Sequence, residues 1–450
     1  MVKRTNVFVC SQCATTYSKW TGKCDNCGAW NSLVEEALQT AKKAVVDRSS
    51  GKQLAVASLE EVKADLVGTR LLTGFGQLDD VLGGGLMPGG VTLLAGQPGI
   101  GKSTLLLQVV LSIGKASSVL YISGEESASQ VKHRAERLAK QLPPHVSLAA
   151  TTSTDDIAAT IATGSYSLVI VDSMQTMALA EIASAPGTVS QITNSANVII
   201  RAAKSSNTSV VLVGHVTKEG SIAGPKVLEH LVDVVLSFEG DRYGGFKMVR
   251  AAKNRYGSTA EVAILEMDSE GLTEVDNASA SLLAERGKSD GSVVLATMEG
   301  ARPLLVEIQA LVNPSHFGYP KRTAVGFDLN RLTLLIAVLE KRTKLDLSDK
   351  DVFINVVGGL KLVDPAADLA VCMAIASASA GRRLPEDVVV FGEVGLGGEV
   401  RRVTGVSSRI AEAKKLKFAG AIGPEHRDNK TFVSAIHDIR DGLNAYLIKK

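Results

Sequence analysis

No apolar run in this chain reaches the roughly 18 residues that a membrane-spanning helix requires, so no such helix is expected within it. Met1-Val2-Lys3-Arg4 leads into a polar, cysteine-bearing segment instead of the apolar core of a secretory leader, and a cytoplasmic location is expected. Net charge is nearly absent: 49 Lys and Arg against 47 Asp and Glu leave +2, with a pI near 8.2. No global basic field therefore demands nucleic acid, and any DNA contact has to come from a local patch or channel. Tryptophan is confined to Trp20 and Trp30, and no short-period repeat is visible. Against these absences stand 450 residues that are 45% apolar and 21% charged, ordinary for a globular protein of about two to four domains.

Cysteine is scarce and unevenly placed. Four of five lie near the N-terminus as Cys10-x2-Cys13 and Cys24-x2-Cys27, with ten residues between the pairs. Two such knuckles can wrap one tetrahedral Zn²⁺ in a closed, structural site of four thiolates. Disulfides fit poorly with a cytosolic chain, and a redox CxxC would not come paired. A module this small buries little core, so metal binding would supply its folding energy. Trp20 and Trp30 flank the second knuckle; miniature core is the expected role, nucleic-acid stacking the alternative. Cys372 sits in an apolar helical pattern and reads as buried.

The most specific motif is Gly96-Gln97-Pro98-Gly99-Ile100-Gly101-Lys102-Ser103, a complete GxxxxGK[ST] phosphate-binding loop. An apolar run, Val91 to Ala95, precedes it as a buried strand, and a helix begins at Thr104, which supplies the context the motif needs. Its glycines let backbone N–H groups turn toward phosphate oxygens at a helix N-terminus. Lys102 would reach the β- and γ-phosphates of ATP, and the Ser103 hydroxyl would ligate Mg²⁺. Asp172 ends a second apolar strand, Leu168 to Val171, where a Walker B aspartate would stand. Glu125 and Glu126 follow a third, Val119 to Ser123; one would orient and deprotonate the attacking water and the other would cap the next helix.

Organisation along the chain follows from composition and period. A zinc module over 1–34 precedes an Ala/Lys/Ser-rich linker at 35–53. Strands and helices then alternate over 54–277, implying an α/β core with a parallel sheet covered on both faces. A polar stretch at 278–292 is expected as a second linker, and a separate α+β pattern fills 293–450.

Particular residues carry a family resemblance. Leu72-Thr73-Gly74 through Leu82-Gly83-Gly84-Gly85-Leu86-Met87-Pro88-Gly89-Gly90 and Gly124-Glu125-Glu126-Ser127 resemble the RecA-type ATPases. With the four-cysteine module and Lys253-Asn254-Arg255-Tyr256-Gly257, which has Tyr256 in place of the usual Phe, the whole chain resembles the bacterial RadA (Sms) family of repair and recombination ATPases. The resemblance implies a DNA-dependent ATPase and helicase, a homo-hexamer acting on single-stranded and branched DNA, with the RecA recombinase as partner. It implies that Lys253 and Arg255, alternating along an extended segment, act on a neighbouring subunit's phosphates, and that His215 senses the γ-phosphate. It also implies that the glycine-rich segment 217–226 lines a ring and contacts DNA through Lys218 and Lys226. The C-terminal region resembles the Lon protease domain, but Ala366 stands where the nucleophilic serine would be and Ser407 at or near the position of its lysine. Without a hydroxyl and its base there is no activated nucleophile, so a non-proteolytic ring scaffold is expected. Lys321, Arg322, Lys341, Arg342 and Lys344 are its candidate DNA contacts, with a merely solvated face as the alternative.

Overall fold

The strand runs of the central region are apolar at nearly every position, as strands buried on both faces must be. A computed structural model places them accordingly and describes residues 5–10, 15–26, 28–38, 70–215, 227–240, 245–315, 319–426, 429 and 431–447. Two compact units form: Met1–Glu239 with Met248–Thr259 and Met267–Leu272, and Gly240–Lys247 with Ala260–Glu266 and Thr273–Lys450.

At the N-terminus, β1 (Thr5–Cys10) pairs antiparallel with both β2 (Thr16–Tyr17) and β3 (Leu33–Leu38). Its core consists of Cys10, Cys24 and Leu33, with Phe8 and Tyr17 packed against them. The tryptophans are not part of that core: Trp20 is 55% and Trp30 73% exposed, which overturns the expectation of a tryptophan-built core. The sulfurs and the Phe8–Tyr17 pair already fill so small an interior.

The central sheet is built from α1 (Gly76–Leu82), β4 (Val91–Gly96), α2 (Lys102–Ile113), β5 (Val119–Ser123), α3 (Ala128–Leu138), β6 (Val146–Ala150), α4 (Thr154–Ala162), β7 (Leu168–Asp172), α5 (Val189–Ser206), β8 (Ser209–His215), α6 (Val227–Leu231), β9 (Val234–Gly240), β10 (Lys247–Asn254), β11 (Val262–Asp268) and β12 (Gly271–Glu274). Strand order is β12-β11-β10-β9-β4-β8-β7-β5-β6, and β9, β4, β8, β7, β5 and β6 run parallel. Side-chain alternation sorts the two faces. Val91 and Leu93, Leu120 and Ile122, Val169 and Val171, and Val210 and Leu212 pack into one core with Ile157 and Ile161 of α4 and Ile192, Ile199 and Ala203 of α5. Tyr121 and Leu94 therefore point to the opposite face.

The second unit holds α7 (Ala278–Leu283), β13 (Ser292–Glu299), β14 (Arg302–Pro314), β15 (Arg322–Val325), α8 (Leu329–Thr343), β16 (Lys350–Val356), α9 (Ala367–Ala380), β17 (Val388–Val390), β18 (Glu393–Val394), β19 (Val400–Arg401), α10 (Val406–Lys415), β20 (Gly420–Gly423), β21 (Val433–Ala435) and α11 (Ile439–Tyr446). A seven-stranded mixed sheet, β15-β16-β14-β13-β17-β20-β21, is its frame. The stretch expected as a linker at 278–292 carries α7, because Ala278 and Leu282 fall one helical turn apart and are buried. The Ser279 hydroxyl ties it down, donating to the Glu412 carboxylate at 2.7 Å and accepting from the Leu305 N–H. Among the described residues no helix is long and apolar enough to cross a membrane.

Candidate nucleotide-binding site

The phosphate loop joins β4 to α2 at the C-terminal edge of the parallel strands, where helix N-termini and strand ends converge. Gly101, the residue before α2, has φ +116°, and a Cβ there would lie 2.8 Å from the Met267 methyl, so only glycine fits. Lys102 follows and is buried. Its ammonium donates to the Gly96 carbonyl at 2.8 Å and the Gln97 carbonyl at 3.0 Å, and lies 3.1 Å from His215 Nδ1. The lysine thus folds back over its own loop. Burial lowers its pKa to about 8, against the opposing pull of the Asp172 and Glu125 carboxylates. Burial, and then the neighbouring Lys102, likewise hold His215 below its ordinary value.

The other expected residues come from the ends of neighbouring strands. Asp172 closes β7, and its Oδ2 accepts the Tyr121 hydroxyl at 2.5 Å. The Ser103 side chain also acts on that hydroxyl, easing the rise of its pKa, so both residues expected around magnesium bear on Tyr121. Burial and the Asp172 carboxylate push the Tyr121 pKa well up, which keeps the phenol a donor. The Ser103 alcohol and the Asp172 carboxylate are hard oxygen donors of the kind that suits Mg²⁺. His215 closes β8 and Glu125 follows β5; His215 Nε2 lies 3.6 Å from Glu125 Oε1.

Geometry separates the two glutamates. Glu125 Oε1 accepts the Ser173 hydroxyl at 2.6 Å and faces the Lys102–His215 side of the site. Glu126 is turned onto α3, where Arg134 grips it with two bonds of 3.1 and 2.6 Å. The cap of α3 is neither of them but Ser127, in a reciprocal capping box with Gln130. Tyr121, Ser173 and Arg134 were missed by motif reading, since each acts from a position that no spacing rule marks. For Tyr121 a weak signal existed, a polar tip inside an otherwise apolar strand.

Lys253 and Arg255 lie at the other end of the sheet. The Lys253 ammonium donates to the carbonyls of Glu229 and Val232 at 2.8 and 2.7 Å, beside the end of α6. Arg255 pairs at 3.2 Å with Asp233, a buried carboxylate whose other oxygen accepts the Val91 N–H at 3.1 Å. Burial and Asp233 raise Tyr256 to about 12. Val91 is the first residue of the six-residue β4 and Gly96 the last, so this cluster stands about 17 Å along the strand from the loop of its own chain. The glycine-rich turn after α1 is the partner of this motif. A Cβ at Gly83, whose φ is +81°, would meet the Tyr256 carbonyl at 2.9 Å, and Asn254 Nδ2 donates to Val81 O at 3.1 Å. Arg70 bonds the carbonyls of Gly83 and Tyr256 together.

Of the expected zinc ligands, Cys10 and Cys24 are fully buried in one cluster. Their knuckles share one pattern: Cys10 N–H donates to Thr15 O at 3.0 Å and Cys24 N–H to Ala29 O at 2.9 Å. Such paired turns around converging thiols fit a tetrahedral zinc. Cys13 and Cys27 lie outside the described residues, as do Lys218 and Lys226 of the expected DNA loop.

In the C-terminal unit Ala366 is fully buried, packed with Ala296, Val389, Phe391 and Ile410. Ser407 instead lines a cleft of about 410 Å³ with Arg402, Gly405 and His426. Next to Ala366, Asp364 accepts the Ala366 N–H at 3.0 Å and pairs at 2.7 Å with the fully buried Arg409 of α10. Of the candidate DNA contacts, Lys321, Lys341, Arg342 and Lys344 are exposed, while Arg322 is spent on the carbonyls of Lys350 and Leu347.

Comparisons with known proteins agree with this layout. The AAA domain family matches residues 58–221, the rubredoxin metal binding domain 8–35, and the family described as subunit ChlI of Mg-chelatase 321–427. DNA repair protein RadA of Bacillus subtilis is 47% identical over 435 residues, covering 94% of this chain and 93% of its own. DNA repair protein RadA of Pseudomonas aeruginosa is 45% identical over 427 residues, covering 94% of each chain. A crystal structure of the RadB recombinase, 24% identical, covers 46% of this chain and 100% of its own at a TM-score of 0.37, too loose a likeness to bear on function.

Proposed function

The chain belongs to the RadA family of DNA repair proteins, and from this we propose that it is a DNA-dependent ATPase of homologous recombination that translocates on single-stranded DNA and drives branch migration. One observation carries the reading. Lys102, Ser103, Asp172, Glu125 and His215, far apart in sequence, meet at one strand edge, while Lys253 and Arg255 stand at the opposite edge, out of reach of their own loop.

Magnesium, held by Ser103 and Asp172, would supply charge neutralisation on the β- and γ-phosphates of ATP. For Lys102, nucleotide binding means exchanging the Gly96 and Gln97 carbonyls for phosphate oxygens. Glu125, held by Ser173, orients the attacking water and takes its proton. His215, between Lys102 and Glu125, relays the presence of the γ-phosphate to the segment that follows it. Lys253 and Arg255 reach the phosphates of the adjacent subunit in a homo-hexamer and stabilise transition-state charge there.

Zinc at Cys10, Cys13, Cys24 and Cys27 is structural, and Lys218 and Lys226 contact DNA in the ring. Partners under this reading are single-stranded and branched DNA and the RecA recombinase. The Lon-like unit is a scaffold without proteolysis, since a methyl group at Ala366 has no nucleophile to activate.

The test is the ATPase rate of wild type and Lys102→Ala with and without single-stranded DNA, alongside casein degradation. DNA-stimulated turnover in the wild type alone, with intact casein, is expected. Mixing Arg255→Ala with Lys102→Ala subunits should restore part of the activity, since each supplies what the other lacks. A Lys102→Ala protein that hydrolyses ATP normally, or mixing that restores nothing, would refute the site or its in-trans completion respectively.

A further inference from the structure

We propose that Trp20 and Trp30 form a base-stacking platform on the zinc module, through which single-stranded nucleic acid is engaged outside the ATPase ring. The inference rests on the DNA-dependent reading above and adds a contact site to it. Its starting point is where the packed interior of the module leaves the two indoles. Trp20 and Trp30 are 55% and 73% exposed while Cys10, Cys24 and Leu33 make the core. Nor are they scattered. A Cβ at Gly22 would lie 3.8 Å from the Trp20 ring and 3.9 Å from the Trp30 ring, so the two indoles flank one point on the backbone. Glycine there leaves the gap between them open.

The local charge fits a polyanion. Between Tyr17 and Trp30 the chain carries Lys19 and Lys23 against the single acid Asp25, and the module's other acids, Glu35 and Glu36, lie along β3. The Lys23 ammonium sits 5.7 Å from the centre of the Trp30 ring, on one of its faces. A strand whose base stacks on the exposed part of that ring brings its phosphate toward this cation. Aromatic faces beside lysines recognise bases of any identity, because every base has a π-face and every linkage a charge. The chemistry therefore selects single strands, whose bases are free to splay, over duplex.

Trp20 and Trp30 are the only tryptophans of the chain, so its tryptophan fluorescence reports on this platform alone. The full-length, zinc-loaded protein is titrated with oligothymidylate and, separately, with an abasic strand of the same length, and binding is followed by anisotropy of a labelled end. Quenching that saturates with the oligothymidylate isotherm, and no quenching by the abasic strand, is expected. Trp30→Ala, an exposed substitution whose zinc content verifies the module, should weaken oligothymidylate binding about tenfold and leave the salt dependence unchanged. Lys23→Ala should instead lower the salt slope by about one. Binding without quenching, with Trp30→Ala unchanged in affinity, overturns the platform and leaves the surface to a protein partner. Failure of the wild type to bind any single strand overturns the DNA-dependent reading itself and the platform with it.

Discussion

Glu125 and Glu126 are adjacent, chemically identical and equally exposed to motif matching, so replacing each by glutamine tests whether geometry assigns the water-activating base. Glutamine at 125 keeps an oxygen for the Ser173 hydroxyl, which now bonds the carboxylate at 2.6 Å, but cannot take a proton. A positioned base contributes about 10²–10⁴-fold, which is roughly 3–5 kcal/mol of barrier. Glu125→Gln should therefore lower kcat by about that factor and change nucleotide affinity only slightly. Glutamine at 126 loses one of two bonds to Arg134, in a pair whose side chains are 25% and 40% exposed. Partly exposed pairs of this kind are worth about 0.2–1 kcal/mol, so Glu126→Gln should stay within about fivefold of wild type. Single-turnover ATP hydrolysis at saturating magnesium, with nucleotide binding measured separately by fluorescence, gives both quantities. Equal losses in the two variants, or a Glu125→Gln enzyme within about tenfold of wild type, would refute the assignment.

Tyr121→Phe removes a bond to a charged acceptor, worth about 1.5–3 kcal/mol, so the magnesium concentration for half-maximal nucleotide binding should rise at least about tenfold while metal-free binding holds; an unchanged magnesium requirement would count against the role of the hydroxyl. Lys102 in the nucleotide-free site has its pKa lowered to about 8, so it is charged below that pH and increasingly neutral above it. Phosphate restores the charge, and nucleotide binding should take up close to one proton above pH 8 and almost none well below it, measured by calorimetry in buffers of different ionisation enthalpy; equal uptake at both would contradict this. Gly83→Ala forces a Cβ to 2.9 Å from the Tyr256 carbonyl at φ +81°, and should cost on the order of 1–3 kcal/mol in thermal unfolding, with a shift below about 1 °C speaking against the interlock. Elemental analysis should find one zinc per chain, retained in Cys372→Ala because that thiol is buried in α9, and a metal-free wild type purified without chelator would sink the four-thiolate site.

Short-range chemistry was readable directly. A phosphate loop is a backbone device whose glycines, lysine and hydroxyl are consecutive, and paired CxxC knuckles are likewise local, so spacing alone announces both. The βαβ alternation and the parallel sheet followed from apolar runs of strand length, because strands buried on both faces admit little else. An alanine at 366, where the resemblance to the Lon domain calls for a serine, was visible as a single letter.

What only the tertiary structure decided is what depends on convergence. The choice between Glu125 and Glu126 turns on which carboxylate meets Ser173 and His215 and which meets Arg134, residues 8 to 90 positions away along the chain. Tyr121 joined the site proposed for magnesium only when adjacent parallel strands put it opposite Ile170, two residues before Asp172 on the same face. The segment at 278–292 looked like a linker because its polar residues outweigh two buried apolar ones; packing, not composition, makes a helix of Ala278–Leu283. Trp20 and Trp30 were expected inside by their hydrophobic surface, and the volume left by the cysteine cluster put them outside. Pattern is set by each residue's neighbours in sequence, whereas site geometry is set by which strand ends the sheet order brings together, and that order is a property of the whole core.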